Sequence, residues 1–266
     1  LRPFNYPKEL LPVRFEAANG GTEIVPTLVI EHSLAAMQRA GVDFCVVVTS
    51  ESKPEILRYL GDGSRYGLQL AYLVQAQQMG LAHAIHQAHF LVSSFGCNCC
   101  LALPDTVFQP LEAIQIVRQD LESHEADLVL GVFPTERPND LGPVRIDADG
   151  KMEAVYDKPS KTDLNNTWAI AAWTPRFSNL VHEQITRAHA QEVILGEVFD
   201  LAIRTGMPCR AVLFPEGTFH DLGTPFGLAS ILRTGWGESG TGPSQVQVDH
   251  AVAKPPPDHA GATEDG

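Results

Sequence analysis

The spacing of apolar positions changes several times along the chain, and each change marks an element. Between Leu28 and Ala40 apolar side chains recur at 28, 30, 34 and 37, which is helical spacing, and Gly41 stops the run. Phe44 to Thr49 is a short continuous β-branched run, as in a strand buried on both faces. Pro54 to Leu60 reads as a short helix with proline in its first turn. Further strands are expected at Leu68 to Val74, Asn98 to Leu103 and Asp127 to Phe133, with helices at Ala82 to Val92 and Leu111 to Ser123. This β-α-β-α rhythm predicts an α/β fold with a mostly parallel sheet covered on both faces.

The rhythm changes after Pro134. Gly142 to Ile146 and Lys151 to Tyr156 flank Asp147-Ala148-Asp149-Gly150, a hairpin signal. Trp168 to Trp173 and Cys209 to Phe214 read as strands. Pro175 to Ala188, Gly196 to Thr205 and Thr224 to Arg233 read as helices. Beyond Gly235 the chain is rich in Gly, Pro, Ser and Asp, so residues 235–266 are expected to be a disordered tail behind one domain over residues 1–234.

Composition narrows the function. A hydrophobic fraction of 44% can build a core. No apolar run is long enough to span a bilayer, and the first residues do not read as a signal peptide. The net charge of −13, from 32 acidic and 19 basic residues, argues against nucleic acid and membrane partners. Phosphate ligands would then need a metal and a few well-placed cations. The five cysteines are odd in number and mostly sit in apolar runs, so they read as free thiols of a cytoplasmic protein. Cys97-Asn98-Cys99-Cys100 runs into a strand without a second ligand cluster, which argues against zinc. His83, His86 and His89 fall on one drifting helical stripe and read as a half-solvated face rather than a metal site.

Two aspartates stand at the ends of strand-like runs: Asp105 in L-A-L-P-D-T-V-F and Asp221 in F-H-D-L-G-T-P. Open α/β sheets bind ligands at such strand ends. Two carboxylates remote in sequence can share one Mg²⁺, a hard ion usually held together with substrate phosphates. Lys8, between Pro7 and Pro12, is either a solvated lysine or a phosphate contact, and Lys158 in D-K-P is either an ordinary turn residue or a second one. Gln75 to Gly80 is either a polar loop or a helix start whose N–H groups are free for an anion or a base edge.

Taken in order, these segments resemble the sugar-1-phosphate nucleotidyltransferases, the nucleotide-sugar pyrophosphorylases, over nearly all of residues 1–233, and the resemblance implies an α/β fold of three-layer α/β/α, Rossmann-like type around a mixed, mainly parallel sheet. P-K-E-L-L-P-V at 7–13 is similar to the family's K-x-L-L-P-V, and L-G-D-G-S-R-Y-G-L-Q-L-A-Y at 60–72 resembles the glucose-1-phosphate thymidylyltransferases. G-L-A-H-A at 80–84 and L-P-D at 103–105 lean toward the UTP-type enzymes. D-K-P at 157–159 matches E-K-P, and D-L-G-T at 221–224 matches D-x-G-T. The resemblance implies that Asp105 and Asp221 hold Mg²⁺, that Lys8 contacts the nucleotide phosphates and that Lys158 contacts the sugar phosphate. Gln75 and Gly80 would read the pyrimidine, and Gly142 and Asp157 would lie against the sugar. The implied partners are UTP or dTTP and a sugar 1-phosphate, with homo-oligomers allowed. The implied reaction attacks the α-phosphorus of the nucleotide and releases pyrophosphate.

Three features depart from that pattern. Leu1-Arg2-Pro3 resembles only the end of the family's G-x-G-T-R-L-x-P loop, the step from there to Lys8 is two residues short, and a loop from Arg14 to Pro26 replaces a compact K-P turn. The start therefore reads as a cut edge, and the chain as given is expected to fold but to turn over near background. A non-catalytic nucleotide-sugar sensor on the same scaffold is the alternative reading, although Asp105, Lys158 and Asp221 argue for the enzyme. A metal-dependent glycosyltransferase would show a D-x-D at a strand end. The chain's D-x-D, Asp147-Ala148-Asp149, lies in the predicted hairpin turn.

Overall fold

The computed structural model of the chain describes residues 6–17, 24–189, 191–224, 227 and 229. A 3-10 turn, Lys8–Leu10, precedes strands β1 (Pro12–Ala17) and β2 (Ile24–Leu28) and helix α1 (Val29–Arg39). There follow β3 (Phe44–Thr49), α2 (Pro54–Leu60), β4 (Gln69–Val74), α3 (Gly80–Gln87), α4 (His89–Phe95), β5 (Cys99–Ala102), β6 (Thr106–Gln109), α5 (Ala113–Ser123) and β7 (Leu128–Pro134). The second half adds β8 (Val144–Ile146), β9 (Met152–Val155), β10 (Asn166–Trp173), α6 (Pro175–Arg187), α7 (Leu195–Arg204), β11 (Cys209–Leu213) and β12 (Thr218–Asp221).

The central sheet has the order β11-β7-β10-β5. β11 is parallel to β7, while β10 is antiparallel to both β7 and β5, so β10 alone runs against the other three. The expected mixed, mainly parallel sheet is therefore present. Strand periodicity sorts β7 between two cores. Leu128, Leu130 and Val132 join Phe177 and Val181 of α6 and Val198 and Phe199 of α7. Val129 and Phe133 join Ala36 and Met37 of α1 and Ile114, Val117 and Leu121 of α5. Phe133 is 0% exposed, and burying such a side chain stabilises the fold by about 1.5–3 kcal/mol. These two cores are the two interfaces of the three-layer arrangement.

Smaller units flank the centre. β3 and β4 form a separate parallel pair, β8 and β9 an antiparallel hairpin, and β6 and β12 an antiparallel pair. The hairpin adds Val144, Met152 and Val155 to the core under α7. His32 of α1 accepts the Phe108 N–H of β6 at 3.1 Å, and burial lowers its pKa to about 4, so the neutral ring fastens helix to strand.

The structure corrects some expectations. The stretch read as a loop, Arg14 to Pro26, is largely an antiparallel hairpin of β1 and β2, with residues 18–23 outside the described residues. Pro26 obscures the strand pattern, yet a two-stranded ribbon tolerates proline on a free edge. The single helix expected from Ala82 to Val92 is two helices meeting at Ala88. β6 is four residues long and was not anticipated. Most of the helix expected from Thr224 to Arg233, and the whole tail from 235, lie outside the described residues. All five cysteines are free. Among the described residues no helix is long and apolar enough to cross a membrane.

Candidate active site

The pairing of β6 with β12 explains why two aspartates remote in sequence meet. Thr106 is paired with Asp221, which brings Asp105 next to it, and Leu222 N–H donates to the Asp105 carbonyl at 2.8 Å. Beneath this corner Val29, Val107 and Leu222 are each 0% exposed, so the register is anchored by an apolar floor. Lys8 forms an ion pair with the Asp105 carboxylate. Gly223 N–H donates to Asp221 Oδ1 at 2.7 Å. A Cβ at Gly223 would lie 2.6 Å from Lys8 Nζ and 2.8 Å from both Asp105 Oδ2 and Asp221 Oδ1. Three charged groups thus converge on the space beside one glycine.

Their electrostatics are coupled. Burial pulls the Lys8 pKa down, but the hydrogen bond and charge of Asp105, with the charges of Glu9 and Asp221, hold it above its usual value. Asp221 is raised, chiefly by burial and further by Asp105, against the opposing effects of Gly223 N–H, Lys8 and Lys158. Lys158 is therefore in electrostatic reach of the same corner. Two hard carboxylate oxygens facing one point form a donor set suited to a small hard cation. Among the described residues no group of three or more His, Cys, Asp or Glu could hold a metal, so further ligands would have to be phosphate oxygens or water.

Lys158 follows β9 with φ +42°, a left-handed conformation that a residue before proline adopts at a cost, and its N–H donates to Leu141 O at 2.8 Å. That bond ties the exposed lysine to the loop bearing Gly142. Gly142 is buried, and a Cβ there would meet Trp168 Cδ1 at 2.6 Å. Asp157 lies against the start of α7, its Cβ 3.4 Å from where a Gly196 side chain would begin. Trp168 stands edge-on to Phe199 at 5.2 Å between ring centres. The sequence reading assigned no role to Trp168 or Gly223. The D-L-G-T motif held a signal for the glycine, whereas nothing in the strand pattern singled out Trp168.

Gln75 and Gly80 form a second group. Gln75 Nε2 donates to Gly80 O at 3.2 Å and meets His83 Nδ1 at 2.8 Å. A Cβ on Gly80 would lie 2.5 Å from Glu192 Oε1, so an exposed carboxylate borders the start of α3. The histidine stripe reaches further than the sequence indicated: His86 Nε2 meets His182 Nδ1 of α6 at 2.9 Å, and His89 stacks on His182 at 4.1 Å. Burial first, and neighbouring imidazoles second, lower the pKa values of His86 and His89. Beside Asp221 opens a cavity of about 750 Å³, bordered by Arg137, Asp140, Leu141, Asn165 and Phe219.

Comparison with known proteins places the chain in a family. The profile of the nucleotidyl transferase family matches residues 10–234. The low-salt glycan biosynthesis nucleotidyltransferase Agl11 of Haloferax volcanii is 27% identical over 229 residues, covering 85% of this chain and 59% of that protein. Glucose-1-phosphate thymidylyltransferase of Streptomyces antibioticus is 24% identical over 234 residues, covering 85% of this chain and 62% of that protein. The chain thus spans about three fifths of the length of these relatives. The structure of UTP-bound UGPase from Acinetobacter baumannii superposes with a TM-score of 0.65 at 17% identity, covering 86% of each chain, and shares the fold. With its two-sided mixed sheet, its carboxylate corner and this match across most of its length, the chain belongs to the nucleotidyl transferase family.

Proposed function

We propose that this protein transfers a nucleoside monophosphate from UTP or dTTP to a sugar 1-phosphate. The products are a nucleoside-diphosphate sugar and pyrophosphate, and the reaction depends on Mg²⁺. The observation that carries the reading is the convergence of Lys8, Asp105 and Asp221 beside Gly223. The relatives named for thymidylyl transfer to glucose 1-phosphate support the substrate class. In the proposed reaction an oxygen of the sugar phosphate attacks the α-phosphorus of the nucleotide in line. A new oxygen–phosphorus bond forms, the bond to the bridging oxygen of pyrophosphate breaks, and that oxygen leaves with the electron pair.

Each residue then has a role that its surroundings suit. Asp105 and Asp221 would hold Mg²⁺, which when bound neutralises charge on the phosphates. Lys8, kept protonated by Asp105, would approach the nucleotide phosphates. Lys158, anchored through its backbone to Leu141, would approach the sugar phosphate. Gln75 and Gly80 would meet the pyrimidine, while Gly142 and Asp157 would lie against the sugar. Aligning two substrates and spreading their charge is most of what phosphoryl transfer asks of a protein. A cytoplasmic setting fits the free thiols.

The test is pyrophosphate release by the native polypeptide, supplied with UTP or dTTP, glucose 1-phosphate and Mg²⁺. Release that needs both substrates and stops on chelation is expected. Nucleotide binding without release under these conditions would overturn the proposal.

A further inference from the structure

The histidine stripe of α3 begins with a ring that touches Gln75, the residue proposed to meet the pyrimidine. Gln75 directly follows β4, and its backbone N–H donates to Thr49 O at 2.8 Å, which fixes where its side chain starts. The nitrogen end of that side chain is turned into the protein: Nε2 lies 3.2 Å from Gly80 O and 2.8 Å from His83 Nδ1. A primary amide nitrogen has two hydrogens to donate and accepts nothing. Both are spent within the protein, which leaves Oε1 for a ligand. Turned over, the amide would set Oε1 against Gly80 O, two acceptors at hydrogen-bond distance.

This geometry fixes the state of the ring. His83 Nδ1 has to accept, so a neutral His83 carries its hydrogen on Nε2. Gln87 Nε2 lies 3.3 Å from that same Nε2, and there two donors would oppose each other. Gln87 is the partner that gives way. Its other bond, to His83 O, is a long 3.4 Å, so its amide can turn and accept. Gln75 has no such freedom, because Gly80 O opposes the turn.

Uracil and thymine present N3–H, a donor, where cytosine presents a bare N3, an acceptor. An outward Oε1 complements the first and repels the second. A proton on His83 Nδ1 would set an N–H against Gln75 Nε2. The amide would then lose that bond, or turn and offer its NH₂ outward, as cytosine requires. The geometry points to His83 as a positioning residue that, while neutral, holds the Gln75 amide with Oε1 toward the base. UTP or dTTP is then preferred over CTP, and protonation of His83 weakens the preference. The inference rests on the proposed place of Gln75 and Gly80 against the pyrimidine.

The surroundings of His83 are rich in imidazoles. His86 of the same helix lies 6.3 Å away between ring centres, and His89 of α4 and His182 of α6 continue the stack. α6 also carries the paired Glu183 and Arg187. Glu192 borders the start of α3. α7 and β3, which also pack on α3, carry Glu197, the paired Asp200 and Arg204, and Cys45. With their pKa values lowered by burial, His86 and His89 stay neutral further into acid than an ordinary imidazole does.

The test is the ratio of UTP to CTP affinity, measured by calorimetry at about pH 8 and about pH 5.5. The phosphates titrate alike in both nucleotides, so the ratio isolates the base. The preference for UTP should be about tenfold or more at the higher pH and fall about fivefold at the lower. His83→Asn offers Oδ1 where Nδ1 accepts and does not titrate, so it should keep the preference at both pH values. His83→Leu should show the weakened preference at both. A ratio that does not change with pH, or that falls equally in His83→Asn, would overturn the inference. If Gln75→Ala leaves the preference intact, Gln75 is not at the base and the inference falls with that reading. If Gln75→Ala abolishes the preference and His83→Leu keeps it, the inference alone is overturned. Imidazole nitrogen NMR reads the ring without any nucleotide. His83 should be bare at Nδ1 and protonated at Nε2 at about pH 8, and the reverse tautomer would overturn the inference. None of these measurements requires pyrophosphate release.

Discussion

Gly131 and Gly223 are each hemmed in, by opposite kinds of neighbour. At Gly131, in the middle of β7, an added Cβ would meet Ile170 Cδ1 at 2.8 Å and Val117 Cγ2 at 3.1 Å. At Gly223 it would meet an ammonium and two carboxylates at 2.6–2.8 Å. The first glycine lets a helix and a neighbouring strand close on the sheet. The second keeps a space open between charges. One part of the molecule is shaped by filling space, and the other holds two carboxylates that repel each other, with Lys8 between them. Like charges and half-buried ions at a strand end have no packing rationale, and such frustration is characteristic of sites shaped for a ligand.

The sharpest way to break this comparison is Asp221→Asn in the native polypeptide. Turnover should fall by about a hundredfold or more, about 2.7 kcal/mol in the barrier, while the protein becomes more stable at pH 7. The sign follows from the raised pKa of Asp221, caused first by burial and then by Asp105. The folded state binds this proton more tightly than the unfolded chain does. Stability contributed by the group is thus lost as pH rises from the ordinary carboxylate value through the raised one. The melting-temperature gain of the variant should therefore shrink as pH falls toward 3.8. A variant less stable than the parent at pH 7 would contradict the picture of a strained carboxylate.

The two glycines can be tested directly against each other. Gly131→Ala should cost about 1–3 kcal/mol of stability by overpacking, seen as a lower denaturation midpoint. Gly223→Ala should leave that midpoint within about 0.5 kcal/mol and reduce turnover about tenfold or more, about 1.4 kcal/mol. If both substitutions act on stability alone, the carboxylate corner is ordinary packing. The smallest effect is expected from Lys158→Ala, an exposed residue. It should raise the apparent KM for sugar 1-phosphate several-fold more than that for nucleotide. Equal changes for both substrates would remove the division of labour between Lys8 and Lys158.

The legible parts of the sequence were those with a strong period or a strand-end signal. The run from Asp127 to Phe133 was read within a residue of β7, and it is buried almost throughout. Phe44 to Thr49 looked the same, yet β3 is only half-buried. Composition cannot reveal that, among the described residues, β3 pairs with β4 alone, because pairing is a property of the assembled sheet. The break at Ala88 left no trace because neither glycine nor proline marks it; Ala88 keeps a right-handed conformation with ψ −3°, which only flattens the turn. Within the site, Asp105 and Asp221 could be chosen because each ends an apolar run. The bond from Gln75 to His83 and the stacking of His182 on the stripe required tertiary contact and could not be read from spacing.

The register of β6 against β12 also sets when the site can come into being. Thr106 pairs with Asp221, so the second carboxylate reaches the first only after nearly all of the described chain has been synthesised. The ion pair of Lys8 with Asp105 can form much earlier, within the part of the chain that leaves the ribosome first. Until the last strand docks, Asp105 has that lysine to itself, and docking then brings a second carboxylate that also acts on it. A nascent or truncated chain ending before Thr218 would thus carry a capped carboxylate and no pair to bind a divalent ion. The proposed metal site would then be assembled at the end of synthesis, as a late event in the folding of the domain.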